Sequence, residues 1–205
     1  MNSDTDDDAR RHKAKMEKRK AVQDAEVAGK AAPSRGLLMV HTGSGKGKST
    51  AACGLVLRAM GRGWPVGVVQ FIKGAWETGE RNALERFGDL LTWRTMGEGF
   101  TWETQDRARD VAAAHAAWQV ALEMMAEPRI RLLVLDELNI ALRYDYLPLD
   151  DVLAAFVARR DDLHILVTGR NARPELVAAA DLVTEMTLVK HHFAAGVKAQ
   201  EGIEF

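Results

Sequence analysis

An α/β fold, a mainly parallel sheet with helices on both faces, is what this sequence predicts, and three observations predict it. Short runs that are apolar nearly throughout recur at residues 37–40, 66–71, 132–135 and 164–167, with Gln70 and His164 as the exceptions. Strands without polar alternation are strands covered on both faces. Between these runs lie stretches of helical periodicity, and strands alternating with helices imply right-handed crossovers and a parallel sheet. The first run passes directly into a glycine-rich segment that opens a helix, Thr42-Gly43-Ser44-Gly45-Lys46-Gly47-Lys48-Ser49-Thr50. A strand, a glycine loop and a helix in that order define the P-loop architecture, here of the RecA-like kind.

Each element follows from its residues. Residues 1–33 stand apart from residues 34–205. They mix Asp6, Asp7 and Asp8 with Arg10, Arg11, Lys13, Lys18, Arg19 and Lys20, and large apolar side chains are nearly absent. Such a segment reads first as a charged, solvated tail. The spacing of Ala14, Ala21, Ala25, Ala28 and Ala32 offers a second reading, a helix with one face of small residues, able to lie across a neighbouring surface. After Pro33, residues 37–40 form a strand and residues 48–60 a helix that Gly61 and Gly63 stop. Residues 66–71 form the next strand. A long helix follows Thr101, with Val111, His115, Trp118, Leu122 and Met125 on one face. Residues 132–135 make a buried strand, 149–157 a helix, 164–167 a strand and 182–188 one more.

Bulk properties bound the function. The chain has 205 residues, 47% of them hydrophobic and 28% charged, enough for one domain with a sizeable core. A formal net charge of -1 gives no electrostatic reason to expect nucleic acid or a membrane as partner. The single cysteine, Cys53, allows no internal disulfide and suits a reducing compartment. No apolar run is long enough to span a bilayer, and the N-terminus is too polar for a secretory signal, so the cytoplasm is the expected location.

The glycine-rich segment carries the clearest chemistry. Glycines let backbone N–H groups turn toward phosphate oxygens, and the helix N-terminus adds partial positive charge. Lys48 can reach the outer phosphates of a nucleoside triphosphate, and the Ser49 hydroxyl can ligate magnesium. The usual pattern has glycine where this chain has Thr42; glycine comes one place later, and Lys46 is an additional lysine in the loop. Asp136 and Glu137 end an apolar run, and ligands of open parallel sheets bind at the carboxyl ends of strands. These two carboxylates suit a magnesium ion or its waters, whereas the alternative makes Asp136 a plain helix cap.

Other candidates are weaker. Cys53 lies on the helix after the loop and suits core packing, and His164 opens an apolar strand, as a structural histidine does. No zinc spacing is present, and no nucleophile stands out. The stretch Gly97-Glu98-Gly99-Phe100-Thr101-Trp102-Glu103-Thr104-Gln105 is unusual. Thr101 or Thr104 can cap the long helix. Phe100 and Trp102 are either core anchors or a wall for a flat ligand.

The segments collected so far, together with Val68-Val69-Gln70-Phe71-Ile72-Lys73-Gly74, Leu135-Asp136-Glu137-Leu138, Tyr144-Asp145-Tyr146-Leu147-Pro148, Thr168-Gly169-Arg170, Lys190-His191 and Gly196-Val197-Lys198-Ala199-Gln200, resemble a known family. It is the P-loop type of ATP:corrinoid adenosyltransferase of bacterial vitamin B12 biosynthesis and salvage. The resemblance runs from Gly36 nearly to Phe205, and the displaced loop glycine belongs to the family pattern. Ser44 stands where relatives carry asparagine, and Ser49 where they carry threonine.

The resemblance implies a reaction in which the substrate is the nucleophile. Cobalt(I) of a reduced corrinoid attacks the 5′ carbon of ATP, the 5′-deoxyadenosyl group moves to cobalt, and triphosphate leaves. It implies that ATP lies reversed relative to most P-loop proteins. Magnesium, with manganese as an alternative, joins ATP and the corrinoid in the site. Phe100 and Trp102 correspond to aromatics that press on the lower corrin face and displace the lower ligand of cobalt(II), which makes the metal easier to reduce. A reduced flavoprotein of the flavodoxin kind is the implied electron donor, and a homodimer the implied assembly, with the N-terminal helix covering the partner's site. Without the resemblance, the loop and Asp136-Glu137 alone fit a RecA-like ATPase or a small-molecule kinase, and the charged tail a nucleotide-dependent binding module.

Overall fold

The computed structural model describes residues 3–31, 34–72, 78–97 and 106–204. The chain divides into two compact units, Met1–Ser34 and Arg35–Phe205. In the first, Ser3–Ala28 form one helix, α1. This is the helical alternative for a segment whose composition reads first as a solvated tail. Its described side chains are exposed except for the half-buried Met16. A helix polar all round relies on pairs one turn apart, and Arg11 meets Asp7 at 2.6 Å.

The second unit is built on a six-stranded parallel sheet in the order β3-β2-β4-β5-β1-β6. The strands are β1 (Leu38–Thr42), β2 (Val66–Gln70), β3 (Leu91–Thr95), β4 (Leu132–Asp136), β5 (His164–Thr168) and β6 (Leu182–Glu185). The helices are α2 (Lys48–Met60), α3 (Gly79–Leu84), α4 (Arg107–Ala126), α5 (Leu138–Arg143), α6 (Leu149–Val157) and α7 (Pro174–Ala179), with 3-10 turns at Glu85–Leu90 and His192–Ala195.

The sheet carries a hydrophobic cluster on each face. Val40, Val69, Leu133, Leu135, Ile165 and Val167 point toward α4, α5, α6 and α7. Met39, Val68, Val134 and Leu166 point the other way, toward Ala52, Val56 and Met60 of α2 and Trp93. Alternate residues of the same strands thus serve opposite layers, which explains why β2 and β4 are buried at every position.

The largest departure from the sequence-based expectation is β3. It lies at the sheet edge, only Trp93 of its five residues is buried, and a rule that seeks apolar runs passes over Leu91–Thr95. The long helix also differs in detail. Its first turn is capped by Asp106, whose side chain accepts from the Arg109 amide at 3.2 Å. Its buried stripe is Ala114, Ala117, Trp118, Ala121, Met124 and Met125. Trp118 belongs to the core as its spacing implies, whereas His115 faces solvent. Small residues carry much of this face, and a search for large apolar side chains misplaces the stripe by a fraction of a turn. His164 is structural: its Nδ1 accepts from the Leu37 amide at 3.0 Å and its ring stacks on Trp64 at 5.5 Å.

Two outcomes are expected. Leu135→Ala empties a fully buried position in the central strand β4. It should lower the unfolding free energy by about 2–5 kcal/mol in urea titrations. Burial, then the charges of Arg131 and Arg159, lowers the His164 pKa, and burial also lowers that of His41. The folded state favours the neutral rings, so their contribution is complete above the ordinary histidine value of 6.5 and is lost as pH falls below it. Urea midpoints should therefore drop between about pH 7.5 and about pH 5.5, and His164→Gln should flatten the drop.

Candidate active site

Among the described residues, the buried polar or charged ones are Thr42, Lys48, Gln70, Asp136, Asn139 and Thr168. Thr42, Gln70, Asp136 and Thr168 end β1, β2, β4 and β5, while Lys48 and Asn139 lie just beyond strand ends. Buried polar groups must be hydrogen-bonded, and their gathering at the carboxyl ends of the strands marks the site.

Residues 43–47 link β1 to α2. Gly43 (φ 96°) and Gly47 (φ 103°) are left-handed, and a Cβ on Gly43 would lie 2.4 Å from the Met186 carbonyl oxygen. Only glycine lets the loop pass so close to the chain leaving β6. Thr42 is still strand: it pairs with Glu185, its carbonyl accepts from the Met186 amide at 2.9 Å, and its hydroxyl accepts from the Ala172 amide at 3.0 Å. The turn begins one residue late, so threonine is accommodated where glycine is usual. Not every loop amide faces the cleft, because that of Gly45 donates to Met186 at 2.6 Å.

Lys48 is only 7% exposed, and its Nζ donates to the carbonyls of Gly43 at 3.0 Å and Gly45 at 2.5 Å. Burial lowers its pKa most; Glu137 and Asp136 oppose that shift, while Arg170 and Lys46 reinforce it. The ammonium is thus held in a crowded place with neutral carbonyls as its hydrogen-bond acceptors, an arrangement that an arriving anion improves.

Asp136 is the hub of the strand ends. Its Oδ1 accepts from Ser49 Oγ at 2.9 Å and from Thr168 Oγ1 at 2.7 Å, and its Oδ2 accepts from Gln70 Nε2 at 3.1 Å. Gln70 Oε1 accepts from Trp93 Nε1 and from Thr95 Oγ1, each at 3.0 Å, which fixes the orientation of the amide. Glu137 adopts left-handed backbone (φ 64°), and its amide donates to Thr168 Oγ1 at 3.0 Å. A left-handed glutamate at a cleft is the kind of strained residue that functional sites hold in place. The structure therefore brings Ser49 onto Asp136, with Glu137 lining the same cleft. No group of three or more His, Cys, Asp or Glu among the described residues makes a metal cage. Oxygen donors beside a phosphate loop suit magnesium, which prefers few carboxylates together with substrate phosphates and water.

A cleft of about 880 Å³ opens over these residues. Lys46, Lys48 and Arg170 are among its lining residues, and Trp93 and Tyr144 supply aromatic surface. This volume lies within the range of sites that enclose a whole small molecule. Cys53 also reaches the wall while packing against the α2 cluster. Phe100, Trp102, Thr101 and Thr104 lie outside the described residues. Sequence reasoning missed Gln70, Thr168 and Trp93 as site residues. The available signal was position, since Gln70 and Thr168 are polar residues that end apolar strands.

Fold and site together define a P-loop nucleotide-binding protein. Flagellar accessory protein FlaH from Methanocaldococcus jannaschii has a similar fold, with a TM-score of 0.52 and 14% identity over 77% of this chain and 73% of that one. Residues 34–205 match the family described as ATP:corrinoid adenosyltransferase BtuR/CobO/CobP, and residues 1–27 match one described as Cob(I)alamin adenosyltransferase N terminal. A corrinoid adenosyltransferase of Pseudomonas aeruginosa is 56% identical over the full length of both chains. One from Sinorhizobium sp is 52% identical over 97% of this chain and 93% of its own. Corrinoid adenosyltransferase CobA of Salmonella typhimurium is 48% identical over 95% and 98%. The chain belongs to the ATP:corrinoid adenosyltransferase family. It transfers the 5′-deoxyadenosyl group of ATP to the cobalt of a reduced corrinoid, with release of triphosphate, in adenosylcobalamin biosynthesis or salvage.

The loop geometry sets a test. Gly43→Ala places a Cβ against Met186 in left-handed backbone and should weaken ATP binding at least about tenfold in calorimetric titration. Binding equal to that of the parent chain would contradict the fit of the loop.

Proposed function

We infer that the cleft binds ATP with its triphosphate against residues 43–50 and turns the ribose 5′ carbon toward the cobalt of the corrinoid. The observation that carries this reading is the meeting of Ser49 with Asp136 at 2.9 Å beside the buried Lys48 ammonium. A loop cation, a hydroxyl and a carboxylate pair at one point are what a magnesium triphosphate needs. Gly43, Ser44, Gly45, Lys46, Gly47, Lys48, Ser49 and Thr50 form the phosphate cradle. Ser49, Asp136 and Glu137 would hold magnesium, or manganese in its place. The ion, when bound, neutralises part of the triphosphate charge.

The chain's own residues supply position and charge. Lys48 exchanges the carbonyls of Gly43 and Gly45 for phosphate oxygens and stabilises the charge that grows on the leaving triphosphate. Gln70 and Thr168 keep Asp136 aligned. The walls of the cleft keep the 5′ carbon and cobalt in line and limit access of water. Cobalt brings the electron pair, so the protein needs no nucleophile of its own. Phe100 and Trp102 press on the lower corrin face and leave cobalt(II) four-coordinate, ready for reduction by a flavodoxin-like protein. The working assembly is a homodimer in the cytoplasm. Among the described residues, no helix is long and apolar enough to cross a membrane.

An anaerobic assay with ATP, magnesium and chemically reduced cob(I)alamin tests the site. Lys48→Ala should lower turnover by about a hundredfold or more; unchanged turnover would remove the phosphate assignment. ADP and phosphate in place of triphosphate would point to an ATPase or kinase. Trp102→Ala should lose more activity from cobalt(II) with a reduced flavoprotein than from prepared cobalt(I). Equal losses would remove its role in ligand displacement. Chelation of divalent ions should abolish transfer, and added magnesium should restore it.

A further inference from the structure

The cleft contains an anion supplied by the chain itself. Beyond the 3-10 turn His192–Ala195, residues 199–204 return to the phosphate loop, and Ala199, Ile203 and Glu204 line the cleft. The Glu204 carboxylate pairs with the Lys46 ammonium of the loop and with His192 Nε2, the latter at 2.9 Å. The Glu204 side chain is only 11% exposed, whereas Lys46 is 52% exposed. A flexible surface lysine has thus been drawn onto a nearly buried carboxylate at the mouth of the phosphate site.

That arrangement cannot persist unchanged beside a triphosphate. The ligand brings several negative charges to the loop, and they compete with the Glu204 carboxylate for the Lys46 ammonium. We propose that Glu204 is the resident counter-anion of the phosphate loop: it holds Lys46 while no phosphate is bound, yields Lys46 to a phosphate oxygen of ATP, and returns to Lys46 as triphosphate leaves. The inference rests on the assignment of residues 43–50 as the triphosphate cradle.

The energetics permit exchange in both directions. A partly exposed ion pair changes an equilibrium by no more than about fivefold, whereas charge-assisted bonds from a triphosphate are several and stronger. ATP therefore displaces the carboxylate readily. Glu204 is tethered to the chain, so its return is intramolecular and does not depend on dilution. His192 gives the displaced carboxylate a second partner, which lowers the cost of leaving Lys46. The exchange moves charge partners only, with no bond made or broken and no proton transferred. Its consequence concerns product release, since triphosphate without an adenosyl group keeps every contact with the loop.

Inorganic triphosphate with magnesium is the probe, titrated calorimetrically into the full chain. Glu204→Gln keeps the shape of the side chain and removes its charge. It should bind triphosphate about two- to fivefold more tightly and raise product inhibition of adenosyl transfer by the same factor. Equal or weaker binding, in a variant whose thermal unfolding shows it folded, overturns the proposal. Lys46→Met supplies the second arm. If Glu204 acts through Lys46, Glu204→Gln made in the Lys46→Met background should change triphosphate affinity less than twofold; a full effect there overturns the exchange. Lys48→Ala separates the two levels of inference. Wild-type triphosphate binding by that variant overturns the cradle and the exchange together. Lost binding in Lys48→Ala alongside unchanged binding in Glu204→Gln overturns the exchange alone.

Discussion

A buried carboxylate needs compensation, and the way Asp136 receives it organises this molecule. Taking an ionised group out of water is costly unless donors replace the lost solvent. Asp136 is 4% exposed and takes its donors from the first turn of α2, the end of β5 and the end of β2. Those three elements are far apart in sequence. They can serve one carboxylate only if the parallel registers place Gln70 beside Asp136 and if β5 pairs with β4. A slip of one residue in either pairing would turn the donor to the opposite face and strand the charge. The same interaction therefore enforces the register and delivers the Ser49 hydroxyl to the carboxylates.

The loop end of the cleft follows a second rule, that both loop lysines already have an internal partner where the proposed site puts phosphate. Lys48 rests on two loop carbonyls and Lys46 on Glu204. Both ammonium groups are held within reach of the loop before any phosphate arrives, which reduces the ordering cost of binding. The two substitutes differ in kind. Carbonyls are neutral and stay with the loop, so Lys48 can gain from an anion without opposing one. A carboxylate is an anion itself and must move. On the proposed assignment, Lys48 suits the chemical step, and Lys46 suits entry and exit.

The sheet was legible in the sequence wherever burial was symmetric. Residues 66–71, 132–135 and 164–167 are apolar apart from Gln70 and His164 because helices cover both faces, and strands form there. Lys48–Met60 and Leu149–Val157 stood out because a loop or a proline sets one end and periodicity the rest. Legibility failed where burial was one-sided or where small residues did the packing. β3 presents a single buried tryptophan, and α4 buries alanines that a search for bulky side chains overlooks. The loop and Asp136-Glu137 stood out in the sequence because their chemistry is local, and they line one cleft. The candidate site was not legible at Gln70 or Thr168, whose meaning lies in a partner dozens of residues away, nor at Glu204, which meets Lys46 only after the chain has crossed the sheet.

The division of labour in the site follows from attack at carbon. In hydrolysis or phosphoryl transfer to an alcohol, an enzyme must position a base near the attacked phosphorus. Here the attacking cobalt carries its own electron pair, and the demand shifts to the leaving triphosphate. The residues gathered at the strand ends match that demand. Asp136 has donors on both oxygens, Ser49 and Thr168 donate their hydroxyls to it, and Gln70 is locked by Trp93 and Thr95. These groups are braced against one another, which suits an electrostatic mould better than proton transfer, because a mould works by not reorganising while charge develops. On the proposed reading of the site, the interaction that fixes the sheet register is also the one that gives the leaving group a rigid seat.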